Sequence, residues 1–286
     1  MSQMDQFESV FRAAIKDVFV YKPIDFKKVL IVTDLLGKDV DLFVEKIKHF
    51  TQVLVADKDI QWQVLTANDF QSTEDLLAIT KTDNYDLICT YRNLQSNAWQ
   101  FPHSLGAHLD VLLQLSAVPV LVLPHPKAGY AYEHALQQTN KVMVLTDHLS
   151  NDHNIVNQGV KFTQKKGQLF LVHIEDQQIF ERYLDAIAKI PSIETDNAQQ
   201  ELQQQLLKMP KDYIRSCRDI LSASQVDIEV IKIVEFGHHL AQCRRYVEQE
   251  KIDLLVMRTK DDDQLAMHGL AYPLAIEIRQ IPLLML

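Results

Sequence analysis

One string of seven residues constrains this chain more than any other, because it occurs twice. Lys28-Val29-Leu30-Ile31-Val32-Thr33-Asp34 and Lys141-Val142-Met143-Val144-Leu145-Thr146-Asp147 share Lys, Val, Thr and Asp at matching positions, and the remaining sites exchange apolar for apolar. A short apolar run between polar residues predicts a strand buried on both faces rather than an alternating surface strand. A buried strand that opens twice predicts one fold written twice. The chain divides accordingly into a lead-in over 1–26, a first unit over 27–124, a connector over 125–140 and a second unit over 141–286.

Each opening strand is followed by elements that alternate in type. In the first unit the pattern predicts a helix over 39–49, strand-like runs at 53–55 and 61–65, and a helix over 72–81 introduced by the capping residues Ser72 and Thr73. A buried strand at 85–90, a helix over 104–115 and a closing strand over 118–124 complete it. The second unit predicts a helix over 150–165 begun by Ser150 or Asn151, a strand at 169–174 and a helical stretch over 177–224 broken near 191–196. An alternating strand at 226–230, a helix over 238–250, a strand at 252–257, a helix over 270–279 and a last strand at 281–286 follow. Strands alternating with helices imply parallel sheets with helices on both faces. Right-handed crossovers then give an α/β fold of two tandem doubly wound, Rossmann- or flavodoxin-like units. Two spacings support the repeat: Gly106 precedes Pro119, and Gly269 precedes Pro282, by the same thirteen positions. Ahead of the first strand, Phe7, Val10, Phe11, Ala14, Ile15 and Val18 form one stripe of an N-terminal helix.

Charge narrows the function classes. The 286 residues carry a net charge of -9, which argues against nucleic acid or an anionic membrane as partner. Three scattered cysteines, Cys89, Cys217 and Cys243, have no CxxC spacing and read as reduced thiols of a cytoplasmic protein. The acidic start, with Asp5, Glu8 and Asp17, is unlike a signal peptide, and the apolar runs are strand-sized, too short for a spanning helix. Neither a Walker run nor a Gly-x-Ser-x-Gly elbow occurs, so no enzyme activity is expected. The Asp147-His148 and Asp152-His153 pairs lack the three or four convergent ligands that a metal needs, and His238-His239 reads as a solvent-facing pair.

With these elements in order, the chain resembles a tandem universal stress protein. The resemblance rests on the two Thr-Asp strands, on Asp86-Leu87-Ile88-Cys89 and Asp253-Leu254-Leu255-Val256, and on Val118-Pro119-Val120-Leu121 and Ile281-Pro282-Leu283-Leu284. It implies an adenine nucleotide alpha hydrolase-like fold and, in many members, ATP at the carboxyl ends of the strands. The acid after the opening strand, Asp34 or Asp147, would contact the nucleoside, and Val172 would face the adenine. A Gly-x2-Gly-x9-Gly-(Ser/Thr) run after the fourth strand would wrap the phosphates, because glycines let backbone N–H groups approach closely. Both units break that run. In the second, Arg258 and Asp261 replace the first two glycines, Gly269 alone survives, and Leu270 stands in the hydroxyl position. In the first, the positions read Tyr91, Leu94, Gly106 and Ala107. Asp261-Asp262-Asp263 would repel phosphate. The expectation is a non-enzymatic, regulatory stress-response protein without the usual ATP grip and with no cofactor. An ATP or adenosine sensor in the second unit is the alternative. The apolar closing strands, 118–124 and 281–286, are expected to be covered by pairing, within the chain or in a homodimer.

Overall fold

The computed structural model describes residues 18–55, 59–101, 103–145, 152–190, 195–259 and 269–286. The N-terminal helix predicted over residues 3–18 lies outside them apart from its last residue. Among the described residues nine strands form one sheet: β1 (Lys28–Val32), β2 (Gln61–Leu65), β3 (Leu87–Tyr91), β4 (Val120–Leu123), β5 (Lys141–Leu145), β6 (Gln168–Asp176), β7 (Glu229–Gly237), β8 (Leu254–Met257) and β9 (Leu283–Met285). The described helices are α1 (Lys38–Phe50), α2 (Thr73–Thr82), α3 (Ala107–Leu115), α4 (His153–Phe162), α5 (Gln177–Ile187), α6 (Thr195–Ala223), α7 (His239–Gln249) and α8 (Ala271–Glu277). The fold is α/β and doubly wound.

The strand order is β2-β1-β3-β4-β9-β8-β5-β6-β7, and every pair is parallel except β4 with β9. Read outward from that antiparallel pair, both units follow the same plan, with β7 as an extra strand on the second. Leu121 sits opposite Leu284, with Val120 opposite Met285 and Val122 opposite Leu283. Since Pro119 and Pro282 occupy matching places, this register relates the closing strands by a local twofold. The two units read from the sequence thus share one sheet and one contiguous core, from Leu30 and Ile88 through Leu121 and Leu284 to Val144 and Leu171. The closing strands cover each other, and each has neighbours on both sides, so neither keeps a free edge for a second chain.

Other contacts tie the units together. Arg92, 4% exposed, reaches from the end of β3 to the carbonyls of Ile278 (2.8 Å) and Ile276 (3.3 Å), which closes the carboxyl end of α8 with a cation. The lead-in crosses to the second unit. Phe19 packs edge-on against His153 and Tyr213, and its N–H donates to Ser216 Oγ at 3.0 Å. Asn157 accepts from Lys22 N and donates to Val20 O, and Phe26 meets Phe162 edge-on.

Several local expectations change. The run at 53–55 is not a strand: Gln52–Leu54 is a 3-10 turn, because Thr51 still bonds back to Ile47 O and carries the helical path onward. Helix α4 is capped by Asp152, whose carboxylate accepts from Ile155 N; the predicted caps Ser150 and Asn151 lie outside the described residues. The strand expected at 226–230 instead runs over β7, Glu229–Gly237, paired along nine positions with β6. Its inner end is read correctly as half exposed, but its continuation through Ile231-Lys232-Ile233-Val234 is set by β6 alongside it.

Candidate functional site

In an open parallel sheet, ligands bind beyond the carboxyl ends of the strands where the chain switches direction. Here the switch points lie between β1 and β3 in the first unit and between β5 and β8 in the second. Each is bridged by the protein's own side chains.

At the first switch point, β1 delivers Thr33 and Asp34 while β3 delivers Tyr91 directly alongside. Tyr91 is wholly buried. Its hydroxyl donates to the Asp34 carboxylate, pairs with Thr33 Oγ1 at 2.8 Å and accepts from Asp34 N at 2.9 Å. The second Asp34 oxygen accepts from Gln95 N at 2.7 Å. Burial first, and then the neighbouring carboxylate, push the Tyr91 phenol above its ordinary range, so it remains a proton donor. Rings fill the space around it. Phe43 meets it edge-on at 5.1 Å, His125 edge-on at 4.9 Å, and Trp99 stacks on His125 at 5.0 Å. Burial pushes His125 down to about 4, and its Nδ1 accepts from Lys127 N at 3.2 Å, so it sits there as a neutral ring. A nucleoside entering beside Asp34 would have to displace the phenol and break both carboxylate contacts.

Gly106 serves packing. Its φ is +87°, and a Cβ there would meet Asn93 Cα at 2.7 Å. That approach lets Asn93 N bond Leu105 O at 2.8 Å, and Ser104 Oγ donate to Asn93 Oδ1 at 3.2 Å. The loop after β3 is therefore bonded to itself at Asn93, Ser104 and Leu105.

At the second switch point, Arg258 follows β8 and holds Asp152 at the start of α4. Its Nη2 donates to Oδ1 at 2.7 Å and its Nε to Oδ2, a two-pronged contact. The Asp152 side chain is 8% exposed and that of Arg258 29%, so the pair is substantially withdrawn from water. Thr259 is drawn away from the crevice: its N–H and hydroxyl both donate to Leu286 O. Val172 lies fully buried in β6 between Leu145 and Ile233, which fits a core valine. Gly269 is exposed in a turn with nothing near its absent Cβ. Asp147 and the Asp261-Asp262-Asp263 run lie outside the described residues.

The structure thus joins Asp34 to Tyr91, and Arg258 to Asp152, while Val172, Gly106 and Gly269 belong to core, loop packing and surface. Tyr91 and Arg258 occupy the same place in the two broken glycine runs, and each spans its switch point to an acid on the opposite side. The sequence marks them as departures from glycine; that their side chains become the bridges is visible only in three dimensions. Sequence reasoning missed Gln95, Trp99 and His125 in the first crevice, and their one sequence signal is aromatic and polar residues gathered after β3 and β4.

His173 Nε2 lies 3.2 Å from Glu175 Oε2 within β6. The His238-His239 pair is split: His238 is exposed, but the His239 side chain is only 15% exposed, with Nδ1 3.9 Å from Asp176 Oδ2. Among the described residues no three His, Cys, Asp or Glu side chains converge for a metal. All three cysteines are free and buried, and burial pushes Cys217 and Cys243 up to about 12. No described helix is long and apolar enough to cross a membrane.

Residues 138–269, which span most of the second unit, match the model of the Universal stress protein family. Among solved structures, a functionally unknown protein from Pseudomonas aeruginosa PAO1 is 11% identical, with a TM-score of 0.49, over 91% of this chain and 92% of that one. A universal stress protein from Archaeoglobus fulgidus DSM 4304 is 15% identical, with a TM-score of 0.45, over 91% of this chain and 87% of that one. No curated protein matches the chain.

Proposed function

We propose that this universal stress protein-like chain is a non-enzymatic regulatory member, acting in the stress response through its surface rather than by binding or cleaving ATP. The observation that carries this reading is the matched pair of bridges. Where the family's glycine run would open the switch point to phosphate, Tyr91 holds Asp34 and Arg258 holds Asp152. Each bridge satisfies a carboxylate that would otherwise be open to a ligand, and in the first unit a buried aromatic cluster occupies the space. The chemistry supports the same reading. Asp34 already accepts two hydrogen bonds, the cysteine thiols are buried and pushed up, and the neutral His125 stacks on Trp99 rather than facing a nucleophile.

Calorimetric titration of the full chain with magnesium-ATP, and separately with adenosine, tests the proposal. No heat of binding is expected from either at micromolar concentrations. Micromolar binding of magnesium-ATP would refute it. Binding of adenosine alone would replace it with a sensor that reads the nucleoside without its phosphates.

A further inference from the structure

The sheet has two outer edges, and they are built differently. Strand β7 carries Glu229, Lys232 and Glu235, and Arg245 holds Glu235 at 2.8 Å. Charges of this kind guard an edge against pairing with another chain. Strand β2 reads Gln61-Trp62-Gln63-Val64-Leu65 and carries no charge or proline. It is also the edge where the first unit stops one strand short, since β6, its counterpart, is covered by β7.

The backbone of β2 is set for an added strand. Gln61 N bonds Lys27 O, and Thr33 N bonds Leu65 O, so the odd-numbered positions face β1. By alternation, the N–H and C=O groups of Trp62 and Val64 point away from the sheet. We propose that this edge pairs antiparallel with the same edge of a second copy of the chain, on a twofold axis through Gln63.

The sequence around Gln63 is self-complementary in that register. Trp62 falls opposite the partner's Val64, and Val64 opposite the partner's Trp62, and each such pair exchanges both outward groups to make four inter-chain hydrogen bonds. Aromatic against β-branched is a favourable cross-strand combination. Gln61 falls opposite the partner's Leu65, Ile60 opposite the partner's Thr66 and Asp59 opposite the partner's Ala67. No like charges oppose one another over 59–67, which matters for copies that each carry a net charge of -9. Antiparallel joining of strand edges about a twofold is also how β4 meets β9 inside the chain. The closing strands offer no free edge, so among the described strands β2 is the uncharged outer one. A five-residue ladder makes a small interface, and the dimer is concentration-dependent.

Sedimentation velocity on the full chain over about a hundredfold range of concentration reads this equilibrium directly. A monomer–dimer transition is expected. Gln63→Lys sets two ammonium groups against each other at the axis and raises the dissociation constant at least about tenfold. Val64→Pro removes only an outward N–H, which an edge strand tolerates, and weakens the dimer similarly. Gln63 lies at a non-hydrogen-bonded site, where Cα atoms stand about 4.5 Å apart, so Gln63→Cys forms an inter-chain disulfide under mild oxidation while the native thiols stay buried. Near-UV circular dichroism confirms that each variant is folded. A chain that stays monomeric throughout, a dimer equally strong in folded Gln63→Lys and Val64→Pro, or a Gln63→Cys dimer that does not cross-link would overturn the proposal.

Discussion

Replacing Tyr91 by Phe isolates the first bridge, because the ring and its packing against Phe43 and His125 remain while only the hydroxyl is lost. That hydroxyl makes three contacts: to the Asp34 carboxylate, to Thr33 Oγ1 and from Asp34 N. Thr33 is itself fully buried. A hydrogen bond to a charged group contributes about 1.5–3 kcal/mol, and a buried donor left without a partner costs about 1–3 kcal/mol. The phenol proton goes to Asp34, so Thr33 O–H donates to the phenol oxygen and loses that acceptor in the variant, while its bond from Leu35 N is unchanged. A net loss of about 2–3 kcal/mol follows, which in a chain of this size lowers Tm by about 3–5 °C. Urea unfolding followed by circular dichroism measures it, with the midpoint moving and the slope unchanged. Asp34→Asn weakens the same contact from the other side, so the double variant should cost at least about 1 kcal/mol less than the sum of the singles. A Tyr91→Phe loss below about 0.5 kcal/mol, or strict additivity with Asp34→Asn, would refute the claim that this bridge holds the crevice shut.

Asp152→Ala removes both the cap of α4 and the partner of Arg258, and should destabilise by about 2–3 kcal/mol, whereas Asp152→Asn keeps a capping oxygen and should lose about half as much in the same urea assay. His125 is pushed down to about 4 by burial, so the unfolded chain takes up its proton first as the pH falls. Its contribution is complete above about 6.5 and is lost on acidification toward about 4. His125→Gln should therefore flatten the decline of stability between those values, and Trp99 fluorescence, read in a Trp62→Phe background, should change with a midpoint near the lower one. Gly106→Ala drives a Cβ into the Asn93 backbone at a φ of +87° and should cost at least about 2 kcal/mol, while Gly269→Ala meets nothing and should stay within about 0.5 kcal/mol by differential scanning calorimetry.

What the sequence determined by itself is the fold class and most of the elements, the run at 53–55 and the extent of β7 excepted. Apolar strands such as Leu87–Tyr91 and Val120–Leu123 are legible because they are buried on both faces, and burial on both faces leaves a continuous apolar run. The cap Ser72 is legible for a similar reason, since it accepts from Asp75 N three residues on and needs no tertiary neighbour. Where the strands lie relative to one another belongs to the tertiary structure. No local pattern states that β4 pairs with β9, that the lead-in at Phe19 rests on α6, or that β7 runs on to Gly237 beside β6. The site divides along the same line. The loss of glycine at Tyr91 and Arg258 is a one-dimensional fact, and it was enough to argue against a phosphate grip. That the replacing side chains reach Asp34, 57 positions away, and Asp152, 106 positions away, was decided by parallel strands that deliver distant residues to a common edge, and a residue's identity does not encode who its neighbour there will be.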